Sequence, residues 1–145
     1  MTLCTKAAAA AAALVLLAGC SSDSGGSPAA SSTADENLGT VTTGADGVQE
    51  VTLQTQDDYL FTPDSFTVEP GEVRLTVVNV AEQMTHNLEF TTGEGPAPID
   101  AGIDLLAPGD EKTIEFTVET PGDYPFECSF HAQLGQVGTM TVSGS

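Results

Sequence analysis

The sequence of 145 residues predicts an all-β domain, a sandwich or barrel of about seven or eight strands. From residue 48 onward, apolar and polar residues alternate in short runs, as in Val73, Leu75 and Val77, which is the period of a strand with one buried face. Turn-forming Pro-Gly pairs separate several runs, at 70–71, 108–109 and 121–122. Short strands with such regular turns are typical of folds that include the Greek-key sandwiches.

Five further alternating runs supply the other predicted strands. They contain Val51 and Leu53; Phe66 and Val68; Ile114, Phe116 and Val118; Tyr124 and Phe126; and Met140 and Val142. Residues 92–107 show no clear period, and we predict a long loop or crossover there. No run of comparable length has helical periodicity.

The N-terminal segment has the features of a secretory signal. Lys6 precedes an apolar run, Ala7–Ala18, which is too short to span a bilayer comfortably. The run ends in Leu-Ala-Gly followed by Cys20, which resembles the lipobox of bacterial lipoproteins. That resemblance implies removal of residues 1–19 and acylation of Cys20, which would anchor the protein to the outer side of the cell membrane.

Between this signal and the first strand, residues 20–47 are mostly small or polar. Such a segment cannot bury enough apolar surface to offset the cost of ordering it, so we predict a flexible tether carrying the lipidated Cys20. The folded domain is then predicted to span residues 48–145.

The cysteines point to a metal. Cys4 would leave with the signal and Cys20 would carry lipid, so Cys128 is the only cysteine left in the predicted domain. It has no intramolecular disulfide partner, and an unpaired thiol in an oxidising compartment needs burial or a bound metal.

The charge is strongly acidic. All 21 acidic residues follow Cys20, together with only Arg74 and Lys112, so the chain from Cys20 onward carries 19 net negative charges. This argues against nucleic-acid binding. The charge would attract a redox partner with a basic face, or it serves solubility or adaptation to salt. We expect a monomer.

The only two histidines both have distinctive positions. His131 lies three residues after Cys128 on one predicted loop between strands, and His86 follows an earlier strand. A thiolate and two imidazoles form a trigonal donor set that suits both Cu(I) and Cu(II). The set lacks the fourth strong ligand of a structural zinc site and the second cysteine of a dinuclear copper site.

The motifs around these ligands resemble those of the small blue-copper proteins, the cupredoxins. Residues 122–128, GDYPFEC, are similar to the penultimate strand of that family, residues 137–142, VGTMTV, to its last strand, and the loop spacing to that of plastocyanin and pseudoazurin. The resemblance implies an eight-stranded Greek-key sandwich with one copper ion held by His86, Cys128 and His131. It also implies an electron carrier rather than an enzyme, and that Asn87 ties the two ligand loops together, although Asn87 could equally be a turn residue.

The resemblance departs at the weak axial position. Five residues after His131, where methionine is usual, the chain has Gln136. We predict that its amide oxygen is the axial donor, and a hard oxygen favours Cu(II) and lowers the reduction potential. Met84, in the loop before His86, is a rival, whereas Met140 lies in a strand and is expected in the core. A three-coordinate site is the remaining alternative.

Two functions fit such a site. The first is transfer of single electrons between redox partners, with His131 as the electron port and Phe130, Ala132 and Leu134 as a docking face, as the resemblance implies. The second is storage, buffering or delivery of copper without a redox role. A third possibility is a sensory or scaffold lipoprotein that uses the fold as a binding platform.

Overall fold

The computed structural model describes residues 37–144, which form ten β-strands and one short 3-10 helix, Ala132–Leu134. Eight strands have four residues or more, and no α-helix occurs within these residues. The all-β prediction is therefore confirmed. The strands are β1 Thr42–Thr43, β2 Gln49–Thr55, β3 Phe61–Thr62, β4 Ser65–Val68, β5 Gly71–Asn79, β6 His86–Phe90, β7 Gly102–Leu106, β8 Glu111–Val118, β9 Gly122–Glu127 and β10 Val137–Val142.

The strands form two five-stranded sheets. The first has the order β1-β2-β5-β8, with β3 also paired to β2, and the second has the order β4-β10-β9-β6-β7. Both are mixed, since β2 pairs with β5 and β4 with β10 in parallel, whereas the other neighbours are antiparallel. The arrangement is consistent with the predicted Greek-key sandwich.

The core lies between the sheets and is built from the alternating residues of each strand. In β5 every second residue from Val73 to Asn79 is buried. Phe126 of β9 is 1% exposed and contacts the rings of Phe61, Phe66 and Phe90. The core consists of Val51, Leu53, Phe61, Phe66, Val68, Val73, Leu75, Val77, Leu88, Ile103, Leu106, Val118, Tyr124, Phe126, Cys128, Met140 and Val142.

Two boundaries differ from the sequence predictions. Residues 92–107 contain a strand, β7, whose Ile103 and Leu106 are buried. Its pairing with β6 shifts register between His86 and Leu88, and this irregularity removes the two-residue period by which a strand is recognised.

The folded unit also begins before residue 48, within the predicted tether. Strand β1 pairs with β2, and the amide of Gly39 donates to the carbonyl of Thr52. The sequence showed no hydrophobic period for this strand, because its two threonines are exposed and the one apolar contact of the segment comes from Val41 directly before it. The signal, Cys20 and the tether residues before 37 lie outside the described residues. No helix in the described part is long and apolar enough to cross a membrane.

Candidate metal centre

The end of one strand and the starts of two others in the second sheet lie together at one end of the sandwich. His86 is the first residue of β6, Cys128 follows the last residue of β9, and Gln136 precedes the first residue of β10. Because β9 is antiparallel to both β6 and β10, the end of β9 lies beside the starts of the other two. The sheet topology therefore brings residues together that are far apart in the sequence.

The predicted metal ligands converge on one point. Sγ of Cys128 lies 3.5 Å from Nδ1 of His131 and 4.0 Å from Nδ1 of His86. The ligand atoms of the three residues all lie within 4.8 Å of one another. These two sulfur–nitrogen separations suit one ion with bonds of roughly 2.0–2.3 Å to each donor, the range seen for first-row metals.

Burial prepares the site for a metal. His86 and Cys128 are fully buried, whereas His131 is partly exposed. Burial lowers the pKa of His86, against the weaker opposing effects of the Gln136 side chain and the Gln56 carbonyl, so the neutral imidazole that binds metals is favoured. The Nε2 atom of His86 is buried, and no acceptor among the described residues meets the geometry of a hydrogen bond with it.

Gln136 lies against the same atoms. Its Oε1 is 2.8 Å from Nδ1 of His86 and 3.1 Å from Nδ1 of His131, and its side chain is fully buried. A soft thiolate and two imidazoles surround a single point and form the strong donor set of a mononuclear copper site. The oxygen of Gln136 lies against both imidazoles.

The loop that carries these residues is closed by its own backbone. The amide of Cys128 donates to the carbonyl of Gln136, and the amide of His131 donates to the carbonyl of Cys128. Gly135, with a φ of 100°, ends the short 3-10 helix in the left-handed region, where glycine is favoured. Cys128 and Gln136 are therefore held side by side before β10 begins.

Comparison with known proteins identifies the family. The family model described as "Copper binding proteins, plastocyanin/azurin family" matches residues 48–143. The chain belongs to this family. It is a blue-copper cupredoxin, and the family binds one copper ion, which the donor set described above fits.

Individual relatives agree with this assignment. A plastocyanin of Cucumis sativus is 38% identical over 102 residues, covering 65% of this chain and 99% of the relative. A plastocyanin of Rumex obtusifolius is 41% identical over 101 residues, covering 64% and 98%. A reduced auracyanin from Roseiflexus castenholzii has a TM-score of 0.58 and 26% identity, covering 66% of this chain and 97% of that structure.

The two ligand loops of this cupredoxin are tied together by Asn87. Its Nδ2 donates to Oγ of Ser129 over 2.7 Å, and its Oδ1 accepts from the amide of Ser129 over 2.8 Å. Ser129 directly follows Cys128, so the bond joins the His86 strand to the loop with the other ligands. The role that the resemblance implied for Asn87 is confirmed.

Met84 and Met140 differ in their surroundings. Met140 is fully buried in the core, as expected from its strand. Met84 is partly buried in the loop before β6, where its amide donates to Asp57 and its carbonyl accepts from Asn79.

Two residues outside the β5–β6 loop hold it in place and were not identified from the sequence. The fully buried side chain of Asn79 donates to the carbonyls of Met84 and Leu106 and accepts from the amide of Ala81. The carboxylate of Asp57 accepts from three consecutive amides of the same loop. Asn79 ends a strand, which was a usable signal for a capping role, but nothing local marks Asp57.

Three apolar residues lie close to the partly exposed His131 in the sequence. Phe130 and Leu134 are 52% and 60% exposed, and Ala132 is partly exposed between them. The ring of Tyr59, which the sequence analysis did not single out, lies 5.1 Å from the ring of His131. His131 thus connects the buried donor cluster with the protein surface.

Proposed function

We propose that this protein carries single electrons between redox partners outside the cytoplasm, and that it is not an enzyme. The observation that carries the proposal is the convergence of Nδ1 of His86, Nδ1 of His131 and Sγ of Cys128 at a largely buried point. These three atoms would hold the copper ion, and Oε1 of Gln136 would be a fourth, weaker donor. Copper in such a set supplies a reversible one-electron couple.

The protein's own contribution is a fixed and dry environment. The Asn87–Ser129 bonds and the backbone bond between Cys128 and Gln136 hold the donors in place. A site that does not rearrange suits rapid electron transfer, and burial of the thiol excludes water and oxidants.

Electrons enter and leave through His131. It is the partly exposed member of the donor set, and Phe130, Ala132 and Leu134 lie beside it in the sequence and at the surface. An apolar surface of this kind allows brief, close contact with a partner. The acidic charge then favours partners with a basic face, so association should slow as salt increases.

Copper titration tests the proposal. One equivalent of Cu(II) should give an intense visible thiolate-to-copper band that bleaches reversibly on reduction. Cys128→Ser should abolish the band, and the matched change Cys20→Ser should leave it intact. Binding without a reversible redox cycle would favour copper storage or delivery instead, and failure to bind copper would overturn both functions.

The proposed membrane anchor needs a separate test, since Cys20 lies outside the described residues. We propose that acyl chains on Cys20 attach the protein to the extracytoplasmic face of the cell membrane. The wild-type protein should then partition with membranes and Cys20→Ala should not. A Cys20→Ala protein that still sediments with membranes would contradict the anchor without affecting the copper site.

A further inference from the structure

We propose that Thr55 is a positioning residue of the metal centre, which fixes the amide of Gln136 with its oxygen toward the two histidines. The inference rests on the proposed axial role of Gln136 and goes beyond it. Thr55 is the last residue of β2 in the first sheet, and its side chain is fully buried. It would therefore hold the amide, from the opposite sheet, in the orientation that the Leu60 carbonyl requires.

Both ends of the Gln136 amide have defined partners. Nε2 donates to Oγ1 of Thr55 over 2.6 Å and to the backbone carbonyl of Leu60 over 3.3 Å. Oε1 faces Nδ1 of both histidines, at 2.8 Å and 3.1 Å. The amide is thus held between the β2–β3 loop on one side and the donor cluster on the other.

These partners select one orientation. The Leu60 carbonyl can only accept, so an amide turned over would place two acceptors against each other. The hydroxyl of Thr55 can accept from Nε2 and so supports the orientation that Leu60 requires. The turned amide would also aim its NH2 group at the metal, and this group has no lone pair to offer a cation.

Within the described residues, Oε1 of Gln136 contacts Nδ1 of His86 and Nδ1 of His131. In the metal-free site one histidine Nδ1–H can donate to Oε1. With both Nδ1 atoms facing a metal, neither nitrogen would carry a proton. The lone pairs of the two nitrogens and one lone pair of Oε1 would then be directed at the same point. A cation at that point would make both separations, 2.8 Å and 3.1 Å, favourable at once, and the bond to Thr55 keeps the oxygen there.

The β2–β3 loop is suited to this role because it contacts the site elsewhere as well. Asp57 binds the loop before His86, and the ring of Tyr59 contacts that of His131. Tyr59 has a φ of 58°, an uncommon conformation for a residue other than glycine. Thr55 and the Leu60 carbonyl thus begin and end a segment shaped around the donor cluster.

The first test measures the amide directly, in the full chain loaded with diamagnetic Cu(I). In Thr55→Val, hydrogen exchange at the Gln136 side-chain amide should accelerate on the order of fivefold, the effect of one hydrogen bond of ordinary net strength. The matched control is Thr76→Val, since the Thr76 hydroxyl bonds to that of Thr113 on the first sheet, away from the site. Equal exchange in wild type, Thr55→Val and Thr76→Val would overturn the proposal.

The second test uses the reduction potential and a double variant. Thr55→Val should raise the potential, because an unfixed oxygen stabilises Cu(II) less, and it should change nothing further in a Gln136→Met background. A shift of equal size in both backgrounds would overturn the positioning role, since Thr55 would then act independently of the amide. If Gln136→Met alone leaves the potential unchanged, the axial assignment fails, and the role of Thr55 fails with it. If Gln136→Met raises the potential but Thr55→Val leaves it unchanged, the axial assignment stands and the role of Thr55 is overturned.

Discussion

Nδ1 of His86 lies 2.8 Å from Oε1 of Gln136, although the two residues are 50 positions apart in the chain. The contact joins the start of β6 to the residue before β10, and both side chains are fully buried. A buried glutamine oxygen directed at two metal-binding nitrogens distinguishes this site from one with the methionine usual at that position. Its consequences can be measured in the copper protein.

Gln136→Met should raise the reduction potential. A thioether is a softer donor than an amide oxygen and stabilises Cu(II) less. We expect a rise of at least about 60 mV, which corresponds to a tenfold change in relative affinity for a one-electron couple. Potentiometric titration measures it, with Gln133→Met as the control, because Gln133 is exposed on the same loop. An unchanged or lower potential would contradict the assignment and make Met84 the next candidate.

Asn87→Ala should weaken the connection between the two ligand loops. The variant removes the buried side-chain oxygen of Asn87 that accepts from the amide of the exposed residue Ser129. Losing an ordinary hydrogen bond of this kind costs about 1 kcal/mol of unfolding free energy. Urea unfolding measures the loss, and copper should also dissociate faster.

The control for Asn87 is Asn37→Ala, at an exposed residue near the start of the described chain. A surface change of this kind should stay within about 0.5 kcal/mol. Equal effects of the two substitutions would show that the Asn87–Ser129 bonds do not stabilise the site.

Asp57 should make the loop before His86 sensitive to acid. Hydrogen bonds from the amides of Glu82, Gln83 and Met84 lower its pKa below 3.8, against an opposing effect of burial. A carboxyl with a lower pKa in the folded state stabilises the fold above its unfolded pKa, and this contribution is lost as the pH falls through the folded value. The stability difference between wild type and Asp57→Asn should therefore be present at neutral pH and disappear in the acid range below 3.8.

Urea unfolding between neutral and acid pH measures that difference. The control is Asp104→Asn, since Asp104 is exposed on β7. If Asp57→Asn were as stable as wild type at neutral pH, or if its deficit persisted unchanged at the lowest pH, the three amide bonds would not be the stabilising contacts.

The donor residues were predictable because the chain has few of them. The domain has two histidines and one cysteine, so few combinations of residues could supply nitrogen and sulfur ligands. The alternating runs identified most of the strands that hold these residues. The supporting contacts were not predictable, because they join distant segments. Thr55 and Gln136 are 81 positions apart, and no local pattern marks Asp57 as the partner of the loop at 82–84. Such pairs depend on strand order, which periodicity does not determine.

Leu134→Asp should slow electron self-exchange between oxidised and reduced copies of the protein. Leu134 is 60% exposed on the loop of His131, so two molecules that exchange an electron through His131 would bring the new carboxylates together. Like charges in a contact surface cost several kcal/mol, so we expect a rate lower by tenfold or more, on the order-of-magnitude basis of that cost. The control is Leu105→Asp, which adds the same charge at a residue 51% exposed on β7 and reports the effect of net charge alone. If both variants slow exchange equally, and added salt restores both, then the loop of His131 is not the surface through which electrons pass.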